Sequence, residues 1–159
     1  MLAVTLILAD APAAAARAAS DDAYGSWAWP VEHARAIDRD FEAPASPYGP
    51  GHRGIDVRAR SGDELKAPAN GVVRFAGIVV NRPVLTIEHA NGVLSSYEAV
   101  DATVAVGDPV ERGEVVGTVV DGPHCGAGCV HVGVRIDGAY VNPLLFLGGV
   151  PRAVLLPMG

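Results

Sequence analysis

Residues 83–100, PVLTIEHANGVLSSYEAV, carry the reading that decides the fold. Two β-prone runs flank Asn91-Gly92, a dipeptide that accepts positive φ cheaply and is the strongest short-range hairpin signal. The pattern continues outward in both directions. GIDVRAR (54–60) reads as a strand, and KAPANGVVRFAGIVV (66–80) as another that begins at the Asn70-Gly71 turn. Beyond the hairpin, VAVGDPVERGEVVGTVV (104–120) spaces Val104, Val106, Val110, Val115, Val116 and Val119 around Gly-Asp-Pro and Arg-Gly turns. CVHVGVRIDGAYVNP (129–143) is a further strand pair turned at Asp137-Gly138. Short, closely spaced, Val-rich strands indicate an all-β domain, an antiparallel sheet folded on itself as a sandwich or part-barrel. One short N-terminal helix is expected over residues 31–39, VEHARAIDR, with His33 solvated. Pro44, Pro47, Gly49, Pro50 and Gly51 then break any regular element.

The 159 residues suffice for one domain with one core. Net charge is −6, Lys66 is the only lysine, and no arginine run forms a stripe, so nucleic-acid binding has no electrostatic footprint. Residues 1–20, MLAVTLILADAPAAAARAAS, read as a signal peptide: a short apolar run, then Ala16-Arg17-Ala18 as a small-x-small cleavage pattern. Asp10 interrupts the run and no cation precedes it. No later stretch is long and apolar enough to span a bilayer. The expected organisation is a signal segment 1–20, a lead-in 21–49, a functional domain 50–147 and a tail 148–159. Cys125 and Cys129, the only cysteines, suit a disulfide in an oxidising compartment better than a zinc clip. Trp27 and Trp29 are expected to staple the lead-in onto the sheet.

His52 and Asp56 stand four positions apart in GHRGID. On an extended segment they project from one face, so imidazole and carboxylate can meet one ion. His131, mid-strand in CVHVGV, is the candidate third ligand, because an imidazole set into a Val-rich strand requires a partner. Three such side chains plus water make a catalytic zinc site. Each histidine taken alone is more often structural than catalytic. His89, beside Asn91-Gly92, is expected to hydrogen-bond the turn rather than a metal.

The ordered motifs resemble the lysostaphin and LytM type of zinc metallopeptidase, peptidase family M23. HRGID is similar to the family's H-x-G-[IV]-D element, KAPANGVV to its A-P-x-x-G-x-V strand, and LTIEHANG to its I-x-H-x-N-G hairpin. VGDPVERGEVVGTV, CVHVGVR and VNPLLFL follow in the family's order over residues 50–147. The resemblance implies the duplicated-hybrid-motif type of β fold. It also implies one Zn2+ per chain held by His52, Asp56 and His131, and hydrolysis of bacterial peptidoglycan peptides by a protein secreted to the cell envelope.

Two departures matter. Where the family carries Tyr-x-His this chain has Tyr97-Glu98-Ala99, and Cys129 replaces the first histidine of the family's His-x-His pair. Those two histidines are implied to assist catalysis. His124 and Glu98 are the candidate substitutes, His124 if the Cys125–Cys129 loop folds back and Glu98 if a bulge redirects it. Tyr97 and Arg53 are candidate substrate contacts, with core and solvent as their respective alternatives. A catalytically silent, metal-containing wall-binding module, acting through other cell-wall hydrolases, is the rival reading. A carrier domain similar to biotinyl or lipoyl folds is disfavoured because Lys66 sits in no carrier turn.

Overall fold

The computed structural model describes residues 24–32, 35–46, 49–124 and 128–148. Eleven strands and one short helix are assigned among them: β1 Ile37–Arg39, β2 Ile55–Arg58, β3 Glu64–Lys66, β4 Gly71–Val79, β5 Arg82–Glu88, β6 Leu94–Glu98, β7 Val100–Ala102, β8 Pro109–Val110, β9 Val115–Val119, β10 Cys129–Ile136, β11 Ala139–Val141 and α1 Leu144–Leu147.

The Asn91-Gly92 hairpin forms as the sequence indicates. Asn91 and Gly92 take φ of 59° and 71°, and β5 pairs antiparallel with β6 in the register Val84↔Glu98 to Glu88↔Leu94. The Asp137-Gly138 turn likewise takes φ of 49° and 81° and joins β10 to β11. The long run at 66–80 splits: β3 belongs to one sheet and β4 to the other, with Pro68 between them. Gly71 opens β4 because a Cβ there would stand 2.5 Å from the Glu88 carbonyl oxygen.

The larger sheet runs β1-β2-β10-β6-β5-β4-β8, with β11 also on β10. The smaller runs β3-β9-β7. All pairings are antiparallel. Val73, Leu85, Ile87, Tyr97, Val130 and Val134 from the larger sheet share one buried cluster with Leu65, Val100, Val116 and Val119 from the smaller. Each such aliphatic burial contributes about 1.5–3 kcal/mol. Trp27 belongs to this core, its ring 4.6 Å from Phe146 and 4.5 Å from the His89 ring. It does staple the lead-in. Backbone bonds from Trp27 N–H to the Phe146 carbonyl and from Ala28 N–H to the Pro68 carbonyl fix it further.

The helix expected over 31–39 does not form. Ile37–Arg39 is instead an edge strand on β2, and the Arg58 N–H reaches the Ala36 carbonyl at 2.9 Å. Without it β2 would present unpaired backbone groups at the sheet edge. The helix that does form, α1, is a single turn after Asn142-Pro143 ending at Gly148 with φ 76°. His33, Cys125, the segment 1–20 and the tail beyond Gly148 lie outside the described residues.

Candidate metal centre

β10 is the strand that builds the site. It lies between β2 and β6, and its register sets His131 opposite Asp56 on one side and Glu98 on the other. Val130, Val132 and Val134 are buried in the core, so His131, Gly133 and Arg135 occupy the opposite face. His52 precedes β2 and is held by a two-way backbone bridge to Glu42, N–H to carbonyl at 2.9 and 3.0 Å. The spacing His52, Gly54, Asp56 keeps all three on one face. Gly54 has a steric reason to be glycine: a Cβ there would stand 2.2 Å from the Val132 carbonyl and 2.7 Å from His131 Nε2.

Four side chains converge. His52, Asp56, His124 and His131 present one ligand atom each, all within 4.8 Å of one another. Asp56 Oδ1 is the hub, 2.8 Å from His131 Nδ1, 2.9 Å from His124 Nε2 and 3.1 Å from His52 Nε2. His52 Nε2 and His131 Nδ1 are also 3.1 Å apart. His52 Nδ1 donates to the Asp40 carbonyl at 2.7 Å, so in the neutral ring Nε2 turns a bare lone pair toward the cluster. A cation relieves this crowding of lone pairs. Metal–ligand bonds of about 2 Å put tetrahedral ligand atoms about 3.3 Å apart, close to the spacings here. The donor set therefore fits a divalent ion such as zinc.

His52 and Asp56 are buried, and His124 is the most open of the four. Burial alone would raise the Asp56 carboxyl. The His131 hydrogen bond and the nearby imidazoles outweigh it and hold the group below its usual range.

The other singled-out residues sort as follows. His124 joins the cluster, its ring parallel to His52 within 7° at 5.7 Å and edge-on to His131 at 4.8 Å. Glu98 lines the same groove and faces Arg82 Nη1 at 3.4 Å. Arg53 also lines the groove, donating to the Gly49 carbonyl at 3.0 Å. Tyr97 borders the groove, but its side chain is fully buried, its hydroxyl donates to Ser95 Oγ at 2.9 Å, and burial pushes its pKa well above the usual phenol value. It supports the floor of the groove from the core side. His89 is not among the clustered ligand groups. Its Nδ1 donates to the Asn70 carbonyl at 2.9 Å, and Nε2 accepts from Ser95 Oγ at 2.7 Å. It thus ties the start of β4 to β6, and its backbone N–H spans the Asn91-Gly92 turn to the Val93 carbonyl. Cys129 is buried at the start of β10.

The sequence reading did not find the arginines that line this groove of about 630 Å³: Arg39, Arg82 and Arg135 beside Arg53. They come from separate segments and share no linear motif.

Known proteins resemble this chain. The model of peptidase family M23 matches residues 50–143, well over half of the chain. The chain belongs to peptidase family M23. Uncharacterized protein Mb2915 of Mycobacterium bovis is 39% identical over 152 residues, covering 92% of this M23 chain and 60% of that protein. DD-carboxypeptidase/endopeptidase Mpg of Neisseria meningitidis serogroup B is 36% identical over 99 residues, covering 58% of this chain and 22% of that protein. A zinc-containing peptidase from Vibrio cholerae superposes with a TM-score of 0.64 at 21% identity, covering 74% of this chain and 39% of that one. That likeness shows the fold. This M23 chain spans about 60% of the length of its mycobacterial relative. No helix among its described residues is long and apolar enough to cross a membrane.

Proposed function

We infer that the protein is a zinc metalloendopeptidase of the bacterial cell envelope, exported by its N-terminal segment, that hydrolyses peptidoglycan peptides. The observation that carries this reading is the meeting of His52 Nε2, Asp56 Oδ1 and His131 Nδ1 at one point on a groove floor. These three residues would hold the ion. A zinc there supplies Lewis acidity and a nucleophile at neutral pH. The Asp40 carbonyl keeps the Nδ1 proton of His52 and so aims its Nε2. Asp56, kept anionic, offsets the charge of the ion.

His124 is the residue we assign to proton transfer, at Nε2, the atom that faces the cluster. It enters from the loop before β10, a backbone position different from either of the family's assisting histidines. Glu98 is the second candidate, less suited because it is engaged with Arg82. Pairing of Cys125 with Cys129 would anchor that loop in the exported form.

His124 also supports a second reading. Were its Nε2 a fourth ligand, the coordination sphere would be closed, as in structural sites, and the protein would be a silent wall-binding module acting through other cell-wall hydrolases. Incubating zinc-loaded protein with labelled peptidoglycan separates the two. Released peptide fragments establish the peptidase; binding without release sinks it.

A further inference from the structure

The groove beside the metal centre has a charge opposite to that of the chain. Net charge is −6, yet among the described residues the lining includes four arginines and a single carboxylate, Glu98. Arg39 is taken up by Glu42 and Arg82 by Glu98. Arg135 is different. Its Nε is buried and has no hydrogen-bond partner among the described residues, an uncommon condition for a buried donor. Its guanidinium lies 5.6 Å from the Tyr140 ring centroid, and Arg53 lies 5.9 Å from the same ring. Tyr140 thereby holds two like charges near each other.

The sheet places this pair in line with the cluster. His131, Gly133 and Arg135 occupy one face of β10, and their partners on β6 are Glu98, Ser96 and Leu94. Between the two ends the floor is Gly133, Ser96 and Thr86, small and polar, with the Arg53 carbonyl and the Tyr140 ring beside Gly133. Four residues of strand separate the backbones of His131 and Arg135 by about 13 Å, the reach of about four extended residues.

We propose that Arg135, with Arg53 across Tyr140, is a carboxylate-recognition subsite that selects peptides bearing a free carboxylate two to four residues from the bond held at the metal centre. A carboxylate in the groove that Arg135 lines would accept from its guanidinium fork in bidentate fashion. This rests on the peptidase reading and narrows its substrate to acidic stem peptides, as opposed to amidated or all-glycine ones.

The test titrates the zinc-loaded full chain with two synthetic stem peptides: one with free glutamate and diamino-acid carboxylates, the other with those groups amidated. The free acid should bind ten- to hundredfold more tightly, the usual worth of a charge-assisted hydrogen bond. Arg135→Gln should bind both at the affinity of the amide, Arg135→Lys should recover part of the preference, and the remote Arg112→Gln should match wild type. Equal binding of both peptides by wild type overturns the proposal, whether or not the variants fold, and so does a preference that survives Arg135→Gln. A phosphate-bearing wall polymer that outcompetes the free-acid peptide overturns it as well. Equal binding with continued release of peptide from peptidoglycan removes this subsite alone; a persisting preference without release removes the hydrolytic reading alone.

Discussion

His124 Nε2 and His131 Nδ1 reach the same oxygen of Asp56, at 2.9 and 2.8 Å, from a loop and from a strand. The strand-borne imidazole is fixed by its neighbours on both sides, whereas the loop-borne one is the more exposed of the two. Replacing His124 by Ala should leave metal content near that of wild type while peptide release falls about 10²–10⁴-fold, the usual contribution of a general base or acid. Mass-spectrometric metal content and fragment release, measured on the same preparation, check this; loss of metal together with activity would mark His124 as a ligand instead.

His131→Ala and Asp56→Ala should each reduce bound zinc from about one ion per chain to near none. Metal removal should also lower thermal stability. A ligand at a thousand times its Kd stabilises the native state by about 4 kcal/mol, and chelation withdraws that contribution. Melting curves with and without chelator read it directly, and the His131→Ala curve should be insensitive to the chelator.

Gly54→Ala drives a methyl group against the Val132 carbonyl and the His131 ring. Overpacking of this kind costs about 1–3 kcal/mol, and the displaced ring should weaken metal binding too. Gly62→Ala is the comparison: nothing lies within 4 Å of its Cβ, but its φ of 93° strains alanine. It should therefore destabilise without touching metal affinity. Denaturant midpoints and zinc titration of the two variants separate the effects.

Acid should destabilise the protein through His89. Burial lowers its pKa against the opposing pull of the hydrogen bonds it donates to the Asn70 and Ala69 backbone. Below its ordinary value of about 6.5 the unfolded chain takes up a proton that the folded one refuses, so stability is full above that pH and falls as pH drops toward the folded value. His89→Asn retains a donor for the Asn70 carbonyl but does not titrate. It should be less stable at neutral pH and should lose this part of the acid slope, as urea midpoints across the pH range would report.

How much of this was legible in the sequence depends on how local each feature is. Asn91-Gly92 and Asp137-Gly138 specify their turns through their own backbone preferences, and both hairpins form there. His52 and Asp56 share a face because a spacing of four is even, a property of any extended segment. The 31–39 segment misled because its pattern says nothing of β2, whose exposed edge recruits Ile37–Arg39 as a strand. Tyr97 could not be assigned to groove or core without the register that turns Ser96 and Glu98 outward and leaves Ser95 and Tyr97 buried. The arginine-lined groove was invisible for a stronger reason: Arg39, Arg53, Arg82 and Arg135 meet only after five strands have been ordered.

The insertion of β10 between β2 and β6 carries a consequence for the life of the chain before it is folded. Asp56 and His131 are separated by 75 residues, and pairings of such high sequence separation form late, because loop closure must be completed before they stabilise anything. The candidate metal centre is thus among the last features to assemble. An unfolded polypeptide of this kind carries all its candidate ligands but no site, and metal binding at the cluster is confined to molecules that have finished folding.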